Sequence, residues 1–226
     1  MTEPAPASAR DRTAFIRAET RLRAVAHVPE ILLHLADEAV PLWQKTEEEL
    51  GAMGLPPPFW AFAWAGGQAL ARHLLDHPEL VRGRRVLDLG SGSGLVAIAA
   101  AKAGAVPVVA AEIDAFAAAA IALNAAANDV YVEVLVRDLL DDPAATARYD
   151  TILVGDLFYE QTTAARVLAW LDRHAALGAA VLAGDPGRSY FPAARLGKLA
   201  DYGVPVTREL EDNDIKRTAV WRLNPP

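Results

Sequence analysis

The stretch that most constrains the fold is residues 86–94, which read Val-Leu-Asp-Leu-Gly-Ser-Gly-Ser-Gly and lead into the apolar run Leu-Val-Ala-Ile-Ala-Ala-Ala. An apolar run that reaches a carboxylate, passes three alternate glycines and continues in helix formers predicts a buried strand, a tight turn and a helix. Glycine permits the sharp turn and the close approach of a ligand. The free N–H groups at the helix start can bind polar groups. The stretch therefore predicts a site for a nucleotide-type cofactor.

Strand-like and helix-forming segments alternate along the rest of the core. Strands are predicted at 85–89, 107–111, 131–136, 151–154 and 179–183, helices at 67–75, 93–103, 115–127, 160–175 and 192–202, and two last β segments at 204–210 and 216–223. Strands that alternate with helices form a mostly parallel sheet. The acidic turn at 211–214 makes the last two segments an antiparallel hairpin. We expect an α/β fold with a doubly wound, mostly parallel seven-stranded sheet and a C-terminal antiparallel hairpin.

Residues 1–55 are predicted to form an N-terminal helical extension. The amphipathic pattern favours a helix at 11–26, a short helix at 30–35, and a capped helix or turn at 46–50. Glycines and three consecutive prolines between residues 51 and 58 mark the boundary. A Rossmann-like domain is therefore expected over residues 56–226.

The composition excludes several classes of function. The chain has no cysteine, and its five histidines lack the spacing of metal ligands, so neither a thiolate nucleophile nor a metal site is predicted. A net charge of −7 argues against a nucleic-acid partner. No apolar run reaches the roughly 18 residues of a membrane span, and the first residues lack the apolar region of a secretory signal. We expect a cytoplasmic protein with no membrane partner.

Acidic residues at the predicted strand ends identify the kind of cofactor. Asp88, Glu112, Asp138 and Asp156 each follow or end a strand, and so many carboxylates around one crevice oppose a phosphate-rich ligand. The third glycine of a dinucleotide fingerprint is also missing, because Leu95 stands in its place. A cofactor with a sulfonium, an amino group and a ribose fits better. We predict S-adenosylmethionine.

Each acidic residue can be matched to one part of this cofactor. Glu112 is placed to accept the ribose hydroxyls and Asp138 to accept the adenine amino group. Asp88 and the glycine turn are expected to hold the amino-acid part, whereas Asp114 is expected to cap the following helix. The cofactor-binding residues predicted in this way are Asp88, Gly90, Ser91, Gly92, Glu112 and Asp138.

The sequence resembles the class I (seven-β-strand) methyltransferases and, more narrowly, the electron transfer flavoprotein β-subunit lysine methyltransferases in their bacterial form. The matching stretches are Pro-Phe-Trp-Ala at 58–61, Trp-x-Gly-Gly-Gln-Ala-Leu at 64–70, the glycine motif at 86–92, Ala-Leu-Asn at 122–124 with Asn128, Gly-Asp-Leu-Phe-Tyr at 155–159, and Gly-Asp-Pro-Gly-Arg at 184–188. The glycine motif is shared by the whole class. The stretches at 64–70 and 155–159 are much more specific.

This resemblance implies methyl transfer to lysine side chains of a protein, expected to be the electron transfer flavoprotein β subunit. The catalytic residues would be Asp156 and Tyr159, with Asp156 capturing and orienting the lysine rather than acting as its base. Trp60, Phe158 and Tyr159 would line the lysine channel, and Trp64 and Asp156 would also contact the cofactor. Phe62 and Trp170 are instead expected in the core.

Two alternatives remain open at this point. A small-molecule N-methyltransferase would share the strand pattern and the glycine motif, and a nicotinamide-dependent oxidoreductase would share the fold class. A monomer is expected, because a transferase that acts on a folded protein needs an open cleft.

Overall fold

The computed structural model describes residues 9–36, 57–141, 148–206 and 214–224. Within these ranges the helices are α1 (Ala9–Glu19), α2 (Ala65–Asp76), α3 (Leu95–Lys102), α4 (Ala115–Ala127) and α5 (Gln161–Ala176). The strands are β1 (Arg21–Val25), β2 (Val28–Leu35), β3 (Val86–Leu89), β4 (Val108–Glu112), β5 (Glu133–Val136), β6 (Thr151–Gly155), β7 (Ala180–Asp185), β8 (Leu196–Pro205) and β9 (Ile215–Leu223). Single 3-10 turns lie at Phe59–Ala61, Pro78–Leu80 and Ala193–Arg195.

Seven strands form one sheet in the order β5-β4-β3-β6-β7-β9-β8. Strands β3 to β7 run parallel, and β9 runs antiparallel to both of its neighbours. The predicted doubly wound sheet with a C-terminal antiparallel hairpin is confirmed. The strand order changes direction at β3. The chain places β4 and β5 on one side of β3 and then crosses over to place β6 and β7 on the other side. Ligands in such sheets bind at the carboxyl ends of the strands beside this reversal.

Two apolar layers cover the sheet. Helices α2 and α3, with part of α4, pack on one face, and α5 packs on the other through Val167, Trp170 and Leu171. All four residues of β3 are buried, as expected for a parallel strand covered on both faces. No helix in the described part of the chain is both long and apolar enough to cross a membrane.

The helical prediction for the N-terminal segment was correct only as far as α1. The helices predicted to continue to residue 26 and to cover 30–35 are wrong, because β1 and β2 form an antiparallel hairpin there. Ile31 and Leu33 are fully buried two residues apart, which is the period of a strand. Residues 46–50 and most of the boundary at 51–58 lie outside the described ranges, so the domain boundary stays a prediction.

A second helix was wrongly predicted at 192–202. A 3-10 turn at Ala193–Arg195 leads into β8, which pairs with β9 along its whole length. Gly197 lowers the helix propensity of residues 192–202, and pairing with β9 outweighs the apolar spacing that favoured a helix. Most of the turn predicted at 211–214 lies outside the described ranges.

The N-terminal hairpin is fastened to α4 by two asparagine side chains. Asn128 accepts a hydrogen bond from the Leu32 N–H (2.9 Å) and donates one to the Leu32 carbonyl (2.6 Å). Asn124 accepts one from the His34 N–H (2.8 Å). The asparagines of the 122–128 stretch therefore satisfy the outer backbone groups of β2, which would otherwise form an unpaired strand edge.

Replacing Asn128 should therefore destabilise the protein. We expect Asn128→Ala to lower the free energy of unfolding by about 2 kcal/mol, because it leaves two partly buried backbone groups of Leu32 unpaired. Urea denaturation followed by circular dichroism measures the change. Arg173→Ala, on the exposed side of α5, is the control and should stay within about 0.5 kcal/mol of the parent. Equal stabilities of the two variants would contradict the assignment.

Candidate active site

The glycine turn lies at the carboxyl end of β3. Gly90, Gly92 and Gly94 all have a left-handed backbone, with φ of 65°, 52° and 83°, which other residues adopt only with strain. The N–H groups of Gly90 and Ser91 donate to the Ala111 carbonyl and hold the turn against β4. A Cβ placed on Gly92 would meet no atom within 4 Å. The space above the turn is therefore open to a ligand.

The Asp88 side chain holds this turn in place through hydrogen bonds. Its side chain is buried, and its Oδ2 accepts hydrogen bonds from the Ser91 hydroxyl (2.5 Å) and the Ala97 N–H (3.0 Å). Burial raises the pKa of Asp88 to about 7, although the bonds from Ser91 and Ala97 oppose the shift. In this structure the side chains of Asp88 and Ser91 therefore stabilise the glycine turn. Their predicted contact with the cofactor stays a prediction.

Glu112 is fixed beside the turn at the end of β4. Its Oε2 accepts from the Gly92 N–H (2.9 Å), and its Oε1 accepts from the N–H groups of Ile113 (2.7 Å) and Asp114 (3.3 Å). A carboxylate has about four acceptor positions, so capacity for a ligand hydroxyl remains. Ile113 is 70% exposed and offers an apolar surface next to it. Asp114 caps α4 through the Phe116 N–H, which confirms the expected helix cap.

Asp138 lies in the loop that follows β5 and is exposed. It accepts hydrogen bonds from the Leu140 N–H (2.9 Å) and from Nη2 of Arg166 on α5 (2.8 Å). Burial acts to raise the pKa of Asp138, but the bonds from Arg166 and Leu140 outweigh it and hold that pKa below its ordinary value. Its predicted contact with the adenine amino group stays a prediction.

Asp156 follows β6 in a left-handed conformation, with φ of 56°. Its Oδ2 accepts from the Gly67 N–H (3.1 Å), and its Oδ1 accepts from Nε (3.0 Å) and Nη2 (2.8 Å) of Arg188. Trp64, at the N-cap position just before α2, forms no side-chain hydrogen bond that caps that helix. The carboxylate of Asp156 therefore caps α2 from the neighbouring strand and forms an ion pair at the same time.

Close contacts at Gly66 and at Gly90 permit this position of Asp156 and of the residues that follow it. A Cβ on Gly66 would overlap the Gly184 carbonyl oxygen and would lie 2.5 Å from Asp156 Oδ2. A Cβ on Gly90 would lie 2.6 Å from the Leu157 side chain. The first contact lets α2 reach the ends of β6 and β7. The second places the 156–159 segment directly against the glycine turn.

Asp185 ends β7 and holds the loop that carries Arg188. Its Oδ1 accepts from the N–H groups of Gly187 and Arg188, each at 2.7 Å. Its Oδ2 is buried and accepts no hydrogen bond among the described residues. Burial, together with the charge of Asp156, raises the pKa of Asp185 to about 6, against the opposing bonds from Arg188 and Gly187.

The sequence is similar to those of known methyltransferases. The family model for ribosomal protein L11 methyltransferase (PrmA) matches residues 69–157. The electron transfer flavoprotein beta subunit lysine methyltransferase of Rattus norvegicus is 38% identical over 203 residues, which cover 87% of this chain and 78% of that protein. Its counterpart in Danio rerio is 40% identical over 204 residues, covering 87% and 76%. The chain belongs to this lysine methyltransferase family.

The fold of solved methyltransferases is the same. A ribosomal protein L11 methylase from Lactobacillus delbrueckii subsp. bulgaricus is similar with a TM-score of 0.51 and 21% identity, over 72% of this chain and 81% of that one. Family membership confirms the predicted class, an S-adenosylmethionine-dependent protein-lysine methyltransferase, and favours it over both alternatives. The residues present fit this cofactor, because the space over Gly92 is open and the Glu112 carboxylate is fixed beside it.

Two of the aromatic residues predicted for this methyltransferase lie at the site. The Tyr159 side chain is 52% exposed, and its ring centroid lies 5.9 Å from that of Phe59. Trp64 donates from Nε1 to the Phe59 carbonyl (3.0 Å), and the Arg188 guanidinium lies 5.8 Å from its ring centroid. Burial and the charges of nearby glutamates raise the pKa of Tyr159, so its phenol is protonated at neutral pH.

The structure does not bring Trp60 and Phe158 to the site. Trp60 is only 2% exposed and packs in the cluster between α1 and α4. Phe158 is 1% exposed and packs edge-to-face against Phe191, with ring centroids 5.3 Å apart. Buried rings cannot line a channel, so both side chains have a packing role. Phe62 and Trp170 are buried, as predicted.

Arg188 and Asp185 lie at the candidate site, in contact with Asp156 or its loop, and sequence reasoning gave them no role. Both lie in the Gly-Asp-Pro-Gly-Arg stretch, which had been matched to the family without any role for its side chains. Their location could have been predicted, because the stretch ends a parallel strand and the carboxyl ends of such strands form the ligand edge of the sheet.

Gly66→Ala tests the close approach of α2. We expect at least a tenfold loss of methyl-transfer rate and a destabilisation of about 2 kcal/mol, because the new Cβ must displace Asp156 or the Gly184 backbone. Methylation assays and urea denaturation measure the two effects.

The matched control is the neighbouring variant Gly67→Ala. Its Cβ would make only ordinary contacts, at 3.8 Å, with Leu95 and Val96. We expect unchanged or slightly higher stability, because alanine is the better helix former. Similar defects in both variants would show that general crowding of α2, and not the contact at Gly66, is responsible.

Proposed function

We propose that this methyltransferase modifies lysine side chains of the electron transfer flavoprotein β subunit. The observation that carries the proposal is the packing of Leu157 on Gly90, which puts the 156–159 segment beside the glycine turn. An acceptor held at that segment meets a methyl group held over the turn. The relatives that bear the name of this substrate support the choice of protein.

Glu112 would hold the ribose hydroxyls, Asp138 the adenine amino group, and the turn from Gly90 to Gly92 the amino-acid part of S-adenosylmethionine. When bound, the cofactor supplies an electrophilic methyl group on a positively charged sulfur. Asp88 would keep the turn in shape through its bonds to Ser91 and Ala97. The chain's own contribution is therefore mainly to fix the distance and direction between the two reactants, which supplies about 7–11 kcal/mol in well-oriented reactions.

The acceptor lysine must lose its proton before it can attack. With an ordinary pKa of about 10.4, presenting the neutral amine at pH 7 costs about 4.6 kcal/mol. Asp156 is a poor base for that proton, because a carboxylate beside an ammonium favours the charged form. The Tyr159 phenol, which is protonated at neutral pH, would serve as a wall and a hydrogen-bonding group. The proton would leave to water.

The acidic net charge of −7 suits a substrate surface that is rich in lysine. We expect the enzyme to act as a monomer, because a folded protein substrate needs an open cleft. The monomeric state and the cytoplasmic location both stay predictions.

Mass spectrometry of the electron transfer flavoprotein β subunit tests the function. After incubation with the enzyme and S-adenosylmethionine, we expect one or more methyl groups on lysine residues of the β subunit. A reaction without cofactor is the control. In parallel, a cell extract is incubated with radiolabelled cofactor. Label found only in small molecules, with an unmodified β subunit, would contradict the proposal.

Glu112→Gln tests the cofactor site. We expect S-adenosylhomocysteine to bind about 10–100 times more weakly, because the amide nitrogen that replaces one carboxylate oxygen cannot accept a hydrogen bond from a ribose hydroxyl. Isothermal titration calorimetry measures the affinity. Asp114→Asn is the control, since asparagine also caps helices and affinity should be retained. Equal affinities in both variants would remove Glu112 from the ribose contact.

A further inference from the structure

The carboxylate of Asp156 is not presented to an acceptor as an isolated negative charge. Arg188 donates two hydrogen bonds to its Oδ1, and the N-terminal turn of α2 donates one to its Oδ2 through Gly67. The Asp156 side chain is 9% exposed and that of Arg188 is 21% exposed, so water screens the pair only weakly. Asp156 and Arg188 together are close to neutral.

Arg188 is held in place through both its backbone N–H and its guanidinium. Its N–H donates to the buried Asp185, which holds the loop after β7, and its guanidinium lies over the Trp64 ring. It also lines a cavity of about 320 Å³ with Tyr159 and Lys216. The guanidinium therefore stands at the wall of the space next to the acceptor segment, in contact with Asp156.

These positions matter because the acceptor amine has to be neutral. A carboxylate alone would stabilise the ammonium form and slow the reaction, whereas a carboxylate paired with a guanidinium would not. In the transfer, the amine nitrogen forms a bond to the methyl carbon while the carbon–sulfur bond breaks. The electron pair of that bond goes to sulfur, and the lysine proton has already left to water.

We propose that Arg188 is a positioning residue for methyl transfer, which cancels the charge of Asp156 so that the acceptor lysine is present as the neutral amine. This inference rests on the proposed function, because it requires a lysine acceptor at the 156–159 segment. Arg188 acts through Asp156 and needs no contact with either reactant.

Other ionisable groups around the pair must be accounted for in any pH experiment. They are Asp185 on β7, Lys216 on β9, Glu112 on β4, and Tyr159 and Glu160 after β6. Burial raises the pKa of Asp185 to about 6 and that of Tyr159 above its ordinary value. Asp185 is therefore ionised and Tyr159 protonated between pH 7.5 and 9.5, the range used to follow the acceptor amine.

The test is the single-turnover rate of methyl transfer at pH 7.5 in Arg188→Gln. Glutamine can still donate a hydrogen bond to Asp156 but carries no charge. We expect the rate to fall about tenfold, because the pKa of the acceptor lysine in the complex rises by about one unit. Arg188→Lys keeps the positive charge and should stay within about threefold of the parent.

Binding provides a readout that is independent of the reaction. With S-adenosylhomocysteine bound, Arg188→Gln should bind the acceptor protein about three to ten times more tightly at pH 7.5, since the ammonium now meets an uncompensated carboxylate. A loss of rate together with a gain of affinity is not expected from misfolding. Arg195→Gln breaks an ion pair of the same length outside the site, with Asp172, and should leave both the rate and the affinity unchanged.

A rate for Arg188→Gln within twofold of the parent, a similar loss of rate in Arg188→Lys, or a loss of rate without a gain of affinity would overturn the proposal. If Arg188→Gln does not fold, Asp156→Asn alone makes the test, because the profile must then move to lower pH, and an unmoved profile overturns the proposal. Failure of the proposed function is distinguishable, since the parent enzyme would then leave the flavoprotein β subunit unmethylated.

Discussion

The arrangement of the site depends on the close approach of α2 to the ends of β6 and β7. Backbone meets backbone at Gly66 and Gly184, where any side chain would overlap a carbonyl oxygen. The approach brings the Gly67 N–H within reach of Asp156, and the carboxylate then caps the helix. The glycine pair at 66–67 and the glycine at 184 are thus parts of one contact, although more than a hundred residues separate them in the sequence. The positions of Asp156 and Arg188 follow from it.

The strand-end carboxylates differ in what compensates their burial. Asp88 is held by Ser91 and the Ala97 N–H, Asp156 by Arg188 and the start of α2, and Asp185 by two N–H groups of its own loop. Burial of a charge without such partners would cost several kcal/mol. Each carboxylate therefore fixes a loop at the ligand edge of the sheet. The open space itself is bordered by the glycine turn and the carboxylate of Glu112.

The parallel strands and α4 were predictable because their patterns are set locally: buried strands are continuously apolar, and the Ala-rich segment can only be a good helix. The hairpin β1–β2 and strand β8 were not, because their character depends on distant partners, Asn124 and Asn128 for β2 and strand β9 for β8. The same limit applies to the site. Strand-end carboxylates follow from topology, but the burial of Trp60 and Phe158 and the pairing of Asp156 with Arg188 depend on segments far away in the chain.

The N-terminal hairpin is connected to the cofactor turn by a short chain of hydrogen bonds. Asn124 accepts from the His34 N–H of β2 and donates to the Ser93 carbonyl within the glycine turn (2.8 Å). Val25 and Ile31 are fully buried in the same apolar cluster as α2 and α3. Because the hairpin shares both a core and a polar link with the glycine turn, we expect that loosening the hairpin also loosens the backbone of the turn. The hairpin therefore supports the glycine turn, and a separate cavity is lined by Tyr159 and Arg188.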